Sequence, residues 1–309
     1  GLAEPPAEVP DPSPGGTVIY RPSGPLASAE VFDPETGISS PTGDMTVRRY
    51  ADNGILLSDG RVLIMPRYGH LPIEIYDPHS RRFQAVADVP SNVTIATATL
   101  LPGGEVFLTN LDHTGVFDPD ARTFHSIFKR EEIRRLHTAT LLKDGRVLIV
   151  GDGLVGRNVI YDPSSRGVSQ AGILQVDRIN HKAVLLQDGR VLIVGGTAGK
   201  GPFVQTAEMY DPETNTFSPA GVSTGDPLSA ALLPSGTVLL VHSHNGDIVL
   251  YNPATRAFSP TGHSIGWRSS PTVTLLADGR VMIAGGTKDT GNGHTFKEEI
   301  TDQIFIFAP

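Results

Sequence analysis

The chain has no cysteine, which excludes a disulfide, a thiolate metal site and a cysteine nucleophile, although it does not by itself name a compartment. No apolar run approaches the roughly 18 residues that a membrane-spanning helix needs, and the first residues lack the basic and apolar regions of a secretory leader. Positive charge is in deficit, with 25 Lys and Arg against 33 Asp and Glu. The resulting net charge of −8 opposes general affinity for nucleic acid or anionic membranes, and local basic patches are all that could reverse it. With 39% hydrophobic residues but only 6% aromatics, the chain can fill one large domain or two ordinary ones and no more.

Turn-forming residues are abundant instead. There are 34 glycines and 25 prolines, a composition that implies many tight turns and an all-β chain with little helix. The proline-rich residues 1–13 read as an extended segment, the remnant of a processed precursor or the edge of a larger piece.

Self-similarity organises the remainder, residues 14–309. A turn followed by a β-branched run begins at Gly16, Gly60, Gly104, Gly145, Gly189, Gly236 and Gly279, at spacings of 44, 44, 41, 44, 47 and 43 residues. A second element keeps step with it: Phe32-Asp33-Pro34, Tyr76-Asp77-Pro78, Phe117-Asp118-Pro119, Tyr161-Asp162-Pro163, Tyr210-Asp211-Pro212, Tyr251-Asn252-Pro253 and the variant Phe307-Ala308-Pro309. We number these repeats 1 to 7.

Each repeat reads as four strands. Ala139-Thr140-Leu141-Leu142 runs into the turn Lys143-Asp144-Gly145 and returns through Val147, the chemistry of a hairpin. A third strand ends at Tyr-Asp-Pro, where proline sets φ and the aspartate carboxylate can accept a backbone N–H two residues on. A fourth follows, anchored by Phe83, Phe124, Phe217 and Phe258, with Ser39 and Val168 in the same place elsewhere. Such units make a β-propeller of four-stranded antiparallel blades, seven by this count with six as the alternative.

The stretch Asp188-Gly189-Arg190-Val191-Leu192-Ile193-Val194-Gly195-Gly196, followed by Ala207-Glu208-Met209-Tyr210-Asp211-Pro212, closely resembles the kelch repeat. His137-Thr138-Ala139-Thr140-Leu141-Leu142-Lys143-Asp144-Gly145-Arg146-Val147 resembles the kelch repeats of bacterial proteins and of the galactose oxidase propeller. The double glycine is replaced at Pro66-Arg67, Asn110-Leu111, Gly151-Asp152 and His242-Ser243. The resemblance implies a ring closed by residues 3–12 completing the last blade. It favours an exported or cell-surface bacterial protein.

The lead-in to strand one and the loop joining strands two and three emerge on one face of a blade, called here the loop face. Ten residues before the turn aspartates Asp59, Asp144, Asp188 and Asp278 stand Arg49, Arg134, Arg178 and Arg268, joined in neighbouring loops by Arg67, Arg157 and Lys200. One role is a ring of bidentate donors for an anionic ligand. Kelch domains that bind acidic peptides use arginines on this face. The other role is structural, each arginine bonding backbone carbonyls of its own blade and the next, and recurrence with the repeat favours it. Tyr50, Tyr68, Trp267 and Phe203 offer aromatic surface for a peptide or a sugar. His70, His113, His137, His181, His242, His244 and His294 also fall on this face, and of these His242 and His244 alone have a spacing suited to a metal. The long loop 287–301 is expected to move.

The galactose oxidase resemblance would imply copper radical chemistry, which needs a tyrosine crosslinked to cysteine and a Tyr-His ligand pair. This chain has no cysteine, and Tyr50 is followed by Ala51. No Gly-x-Ser-x-Gly elbow, His-Glu-x-x-His pair or carboxylate dyad is legible. The expectation is a monomeric, cofactor-free and non-catalytic module binding an anionic protein segment or a glycan on the loop face. The alternatives are a sugar-active or metal-dependent enzyme using the same mouth, and a structural spacer within a larger protein.

Overall fold

The computed structural model describes residues 25–49, 53–66, 71–88, 95–110, 113–129, 136–151, 158–199, 201–243, 245–289, 298–301 and 303–309. Among them no helix is long and apolar enough to cross a membrane, and every regular element is a strand. A hairpin of β1 (Glu30–Asp33) and β2 (Ile38–Pro41) comes first. Four-stranded antiparallel meanders follow: β3 (Asn53–Leu56) to β6 (Arg82–Asp88) through β4 (Val62–Met65) and β5 (Pro72–Asp77); then β7 (Ile95–Leu100), β8 (Val106–Asn110), β9 (His113–Asp118) and β10 (Thr123–Lys129). The next are β11 (Thr138–Leu141), β12 (Val147–Val150), β13 (Val159–Asp162) and β14 (Gly167–Gln170), and β15 (Lys182–Leu185), β16 (Val191–Val194), β17 (Thr206–Asp211) and β18 (Thr216–Val222). β19 (Pro227–Leu232), β20 (Val238–His242), β21 (Asp247–Asn252) and β22 (Ala257–Ser264) make the fifth. The last sheet has three strands, β23 (Thr272–Leu275), β24 (Val281–Ala284) and β27 (Ile304–Phe307), with β25 (Thr287–Asp289) and β26 (Glu298–Ile300) paired at the base of the long loop.

The fold is an all-β propeller of four-stranded antiparallel blades. Six blades form among the described residues, the alternative count and not the preferred seven. Among the described residues repeat 1 contributes the β1–β2 hairpin, and its Gly16 turn lies outside them. Residues 3–12, expected to complete the last blade, lie outside them too. The described chain divides into two compact bodies, a larger one of residues 25–204 with 208–218 and a smaller one of 205–207 with 219–309.

Two-residue periodicity builds the core. β12 is buried throughout because it has neighbours on both faces. Val147 and Ile149 pack with Phe107 and Val116 of the preceding blade, while Leu148 and Val150 pack with Val191 and Ile193 of the following one. In the smaller body Leu239 and Val241 meet Val281 and Ile283 in the same way. Each such fully buried aliphatic side chain contributes about 1.5–3 kcal/mol. Farther out, Tyr76 meets Phe83 at 4.8 Å, Tyr210 meets Phe217 at 4.9 Å and Tyr251 meets Phe258 at 4.6 Å, centroid to centroid. Ser39 and Val168 stand opposite Phe32 and Tyr161, in the register the phenylalanines take elsewhere.

The turns form as their chemistry dictates. Asp77 accepts the His79 N–H at 2.8 Å and Asp211 that of Glu213 at 2.9 Å. These turns also lock adjacent blades. Asn215, at φ 55° beyond one of them, accepts the Gly172 N–H at 3.0 Å and donates to the Gln170 carbonyl at 3.3 Å. The approach is so close that a Cβ on Gly172 would lie 2.6 Å from the Asn215 carbonyl oxygen. Gly172→Ala is therefore expected to cost about 1–2 kcal/mol, read by urea unfolding, and a neutral result would mean the seam between these blades is plastic.

Candidate functional site on the loop face

The repeated arginines turn inward wherever they are described. Arg178 has a side chain with no exposure, donating to Glu208 at 2.8 Å and to the carbonyls of Gly195 and Val176, both at 3.3 Å. Glu208 in turn accepts the backbone N–H groups of Gln175 at 2.8 Å and Val176 at 3.2 Å. Those two residues belong to the segment joining the preceding blade, so the carboxylate clamps that segment to the third strand while the guanidinium ties it to the second. Burial lowers the Arg178 pKa, and Glu208 opposes the shift.

Arg49 repeats the device. It donates to Glu74 at 2.5 Å and to the Pro72 carbonyl at 3.0 Å, and Glu74 accepts both the N–H and the hydroxyl of Thr46 at 2.9 Å. In the smaller body Arg268 donates to Gln303 at 2.6 Å and to the Gly285 carbonyl at 3.1 Å, and lies 4.8 Å over the Phe305 ring. Burial lowers its pKa as well.

Two roles stood open for these three, a ring of ligand donors or, as recurrence favours, a tie within the blades, and their side chains lie buried against groups of their own blades. The physical reason is that carbonyls at the end of the second strand or the start of the third, with an acid, amide or aromatic partner at or beside the third strand of the same sheet, lie within reach, so no guanidinium needs to face solvent. Arg134, Arg67, Arg157, Lys200, Tyr50, Tyr68, His70, His244 and His294 lie outside the described residues. Trp267 is half-buried, and Phe203 is 50% exposed. A partner was legible and unread in the sequence: Glu74 and Glu208 occupy one repeat position, two residues before the aromatic of Tyr-Asp-Pro. In repeats 3 and 6, where Val93 and Gly225 replace the arginine, that position holds Gly115 and Val249.

Repeat 6 fills the vacated space differently. His242 packs flat on Gly225, where a Cβ would lie 2.6 Å from Nδ1. Its Nε2 is 3.4 Å from the Ser223 hydroxyl, which donates to the Gly225 carbonyl at 2.8 Å. Ser223 is buried and its proton is committed to a carbonyl, so this is a structural pair and not a nucleophile with its base. Burial lowers the His242 pKa, opposed by Asp247 and Asp226. His181 is pushed down to about 3 by burial, assisted by the Arg178 and Lys182 cations, and its Nε2 lies 2.9 Å from the Thr138 hydroxyl. His137 bonds the Thr109 hydroxyl. Among the described residues no three His, Asp or Glu side chains gather to hold a metal.

At the far ends of the strands, in the larger body, a cleft of about 470 Å³ lies between the turns of repeats 4 and 5. Its guanidiniums are held by their own turns, Arg146 by Asp144 and Arg190 by Asp188, both at 2.6 Å.

The blade built from β15 to β18 carries the decisive pattern of paired glycines, buried Arg178 and Glu208, and Tyr210-Asp211-Pro212. Residues 178–221 match the family model for the Kelch motif. Over that stretch the blade is similar to the Kelch motif. Among solved structures the chain is similar to a fungal alcohol oxidase of the AA5 family, in complex with copper, at 16% identity and a TM-score of 0.67. The match covers 84% of this chain and 63% of that one, so the chain spans less than two thirds of the oxidase. At that identity the agreement is one of fold. No curated protein matches the sequence. The copper held by the oxidase does not fit the donor set described here: the chain lacks cysteine, and His137, His181 and His242 each turn a ring nitrogen to a hydroxyl of the fold.

Proposed function

We propose that this chain is a non-catalytic recognition module that binds an anionic protein segment on the loop face of its Kelch-type blades. The observation that carries the reading is the double clamp of Arg178 with Glu208 and of Arg49 with Glu74. Each fixes a strand lead-in and the start of a third strand from beneath, so the intervening loops stand on a rigid base. Recognition favours loops displayed on such a scaffold. Cationic residues of the loops joining strands two and three, Arg67, Arg157 and Lys200, supply the charge for an acidic segment.

The test is selection of 12-residue peptides by phage display on the whole chain, in parallel with a glycan array, followed by hydrogen-exchange footprinting. Acidic peptides that protect residues 136–138 and 197–204 are the expected result. A footprint on the Asp-Gly-Arg turns, binding to glycans alone, or no ligand at all would overturn the reading.

A further inference from the structure

Adjacent blades of the larger body are joined by ion pairs where the turn between strands one and two of one blade meets the turn between strands three and four of the next. Arg61 donates to Asp120 at 3.0 Å across repeats 2 and 3, and Arg166 donates to Glu105 at 3.4 Å across repeats 3 and 4. Between repeats 4 and 5 the positions of Arg61 and Asp120 are held by Arg146, directly after its Asp-Gly turn, and by Glu213, two residues after the turn aspartate Asp211. Among the described residues no bond joins these two. Arg146 commits its Nε and Nη2 to Asp144 at 2.8 and 2.6 Å, and the Glu213 carboxylate meets no partner.

Both residues line the cleft of about 470 Å³ between these turns, a volume that admits a small molecule. Other bonds hold the two blades together here: Lys143 donates to the Gln187 carbonyl, and Asn215 bonds across to Gly172 and Gln170 at 3.0 and 3.3 Å. The seam is therefore fastened without the ion pair, and the cleft keeps charged groups of both signs that are not fully engaged. The end-on edge of the Arg146 guanidinium, Nη1 with the outer proton of Nη2, is open to a carboxylate. Asp211, beside Glu213, accepts the N–H groups of Glu213 and Thr214 through one oxygen, at 2.9 and 3.4 Å, and leaves its other oxygen for a cation. Arg190 and Asp188, also in the cleft wall, pair with each other at 2.6 Å.

We propose that this cleft binds a small zwitterion of dipeptide size, with its carboxylate on Arg146 and its ammonium on Glu213 and Asp211. The occupant supplies the two charges that Arg61 and Asp120 supply to each other at the seam of repeats 2 and 3. A dicarboxylate would bring like charge to Glu213 and Asp211, and a diamine would bring it to Arg146 and Lys143, so a molecule carrying both signs is what complements the wall. The site lies at the far ends of the strands from the loop face and does not depend on the recognition reading made there.

Alanyl-alanine, its N-acetyl and C-amide forms, succinate and putrescine serve as probes, titrated into the whole chain and followed by ligand-observed NMR. Saturable binding of the free dipeptide with a Kd of about 1 mM or tighter is expected, weakened roughly tenfold by blocking either end. Arg146→Gln and Glu213→Gln are each expected to weaken it by roughly tenfold as well. The Glu213 side chain is exposed and bonds nothing in the fold, so Glu213→Gln should leave Tm unchanged and its loss of affinity reads the site alone. A dipeptide that does not saturate by about 10 mM overturns the proposal. Blocked forms that bind as tightly as the free one, tighter binding of succinate or putrescine, or an unaltered affinity in Glu213→Gln overturn it equally.

Discussion

Glu208→Leu is expected to lower the unfolding free energy by about 3–5 kcal/mol, and adding Arg178→Met to recover most of that loss. The single substitution strands a guanidinium whose side chain has no exposure, beside two backbone N–H groups that have lost their acceptor. The double substitution removes the uncompensated charge and leaves apolar volume in its place. Its residual cost reports the lost clamp on Gln175 and Val176. Denaturant unfolding of the two single variants and the double variant measures the coupling. Additive losses, or single losses below about 1 kcal/mol, would show that water reaches the pair.

Acid is expected to weaken the fold through His181, by about 3 kcal/mol between pH 7.5 and pH 4. The folded pKa lies at about 3, pushed down by burial and by the Arg178 and Lys182 cations, while the unfolded imidazole titrates near its ordinary value of 6.5. As pH falls below 6.5 the unfolded chain takes up a proton that the folded chain refuses, so stability falls from there and levels off only below pH 3. Above about pH 7.5 the group contributes almost no slope. The steepest part of the loss should disappear in His181→Gln when unfolding is followed across this range. An unchanged slope would assign the acid sensitivity to other groups.

Both effects come from residues whose burial could not be seen in the linear pattern. Arg178 and Arg268 recur with the repeat, and recurrence alone is compatible with a ring of exposed donors as well as with a set of internal ties. The glutamate two residues before Tyr76 and Tyr210 was the available signal, but it lies far along the chain from its arginine, and no local rule connects them. His137 and His181 likewise share a repeat position yet bond hydroxyls on different strands, Thr109 of β8 and Thr138 of β11. In repeat 6 the exchange of arginine for Gly225 and of a glycine for His242 is intelligible only once the imidazole is seen lying on the glycine.

What the sequence determined by itself is the blade: strand alternation, the Asp-Gly turns and the Tyr-Asp-Pro turns act over a few residues, and each reports its conformation locally. The register of phenylalanine opposite tyrosine followed from the same short-range spacing. What only the tertiary structure decided is the direction in which the polar side chains point. A guanidinium at a strand lead-in faces solvent or interior according to whether carbonyls and a carboxylate from distant strands arrive beside it, and that depends on how the blades pack.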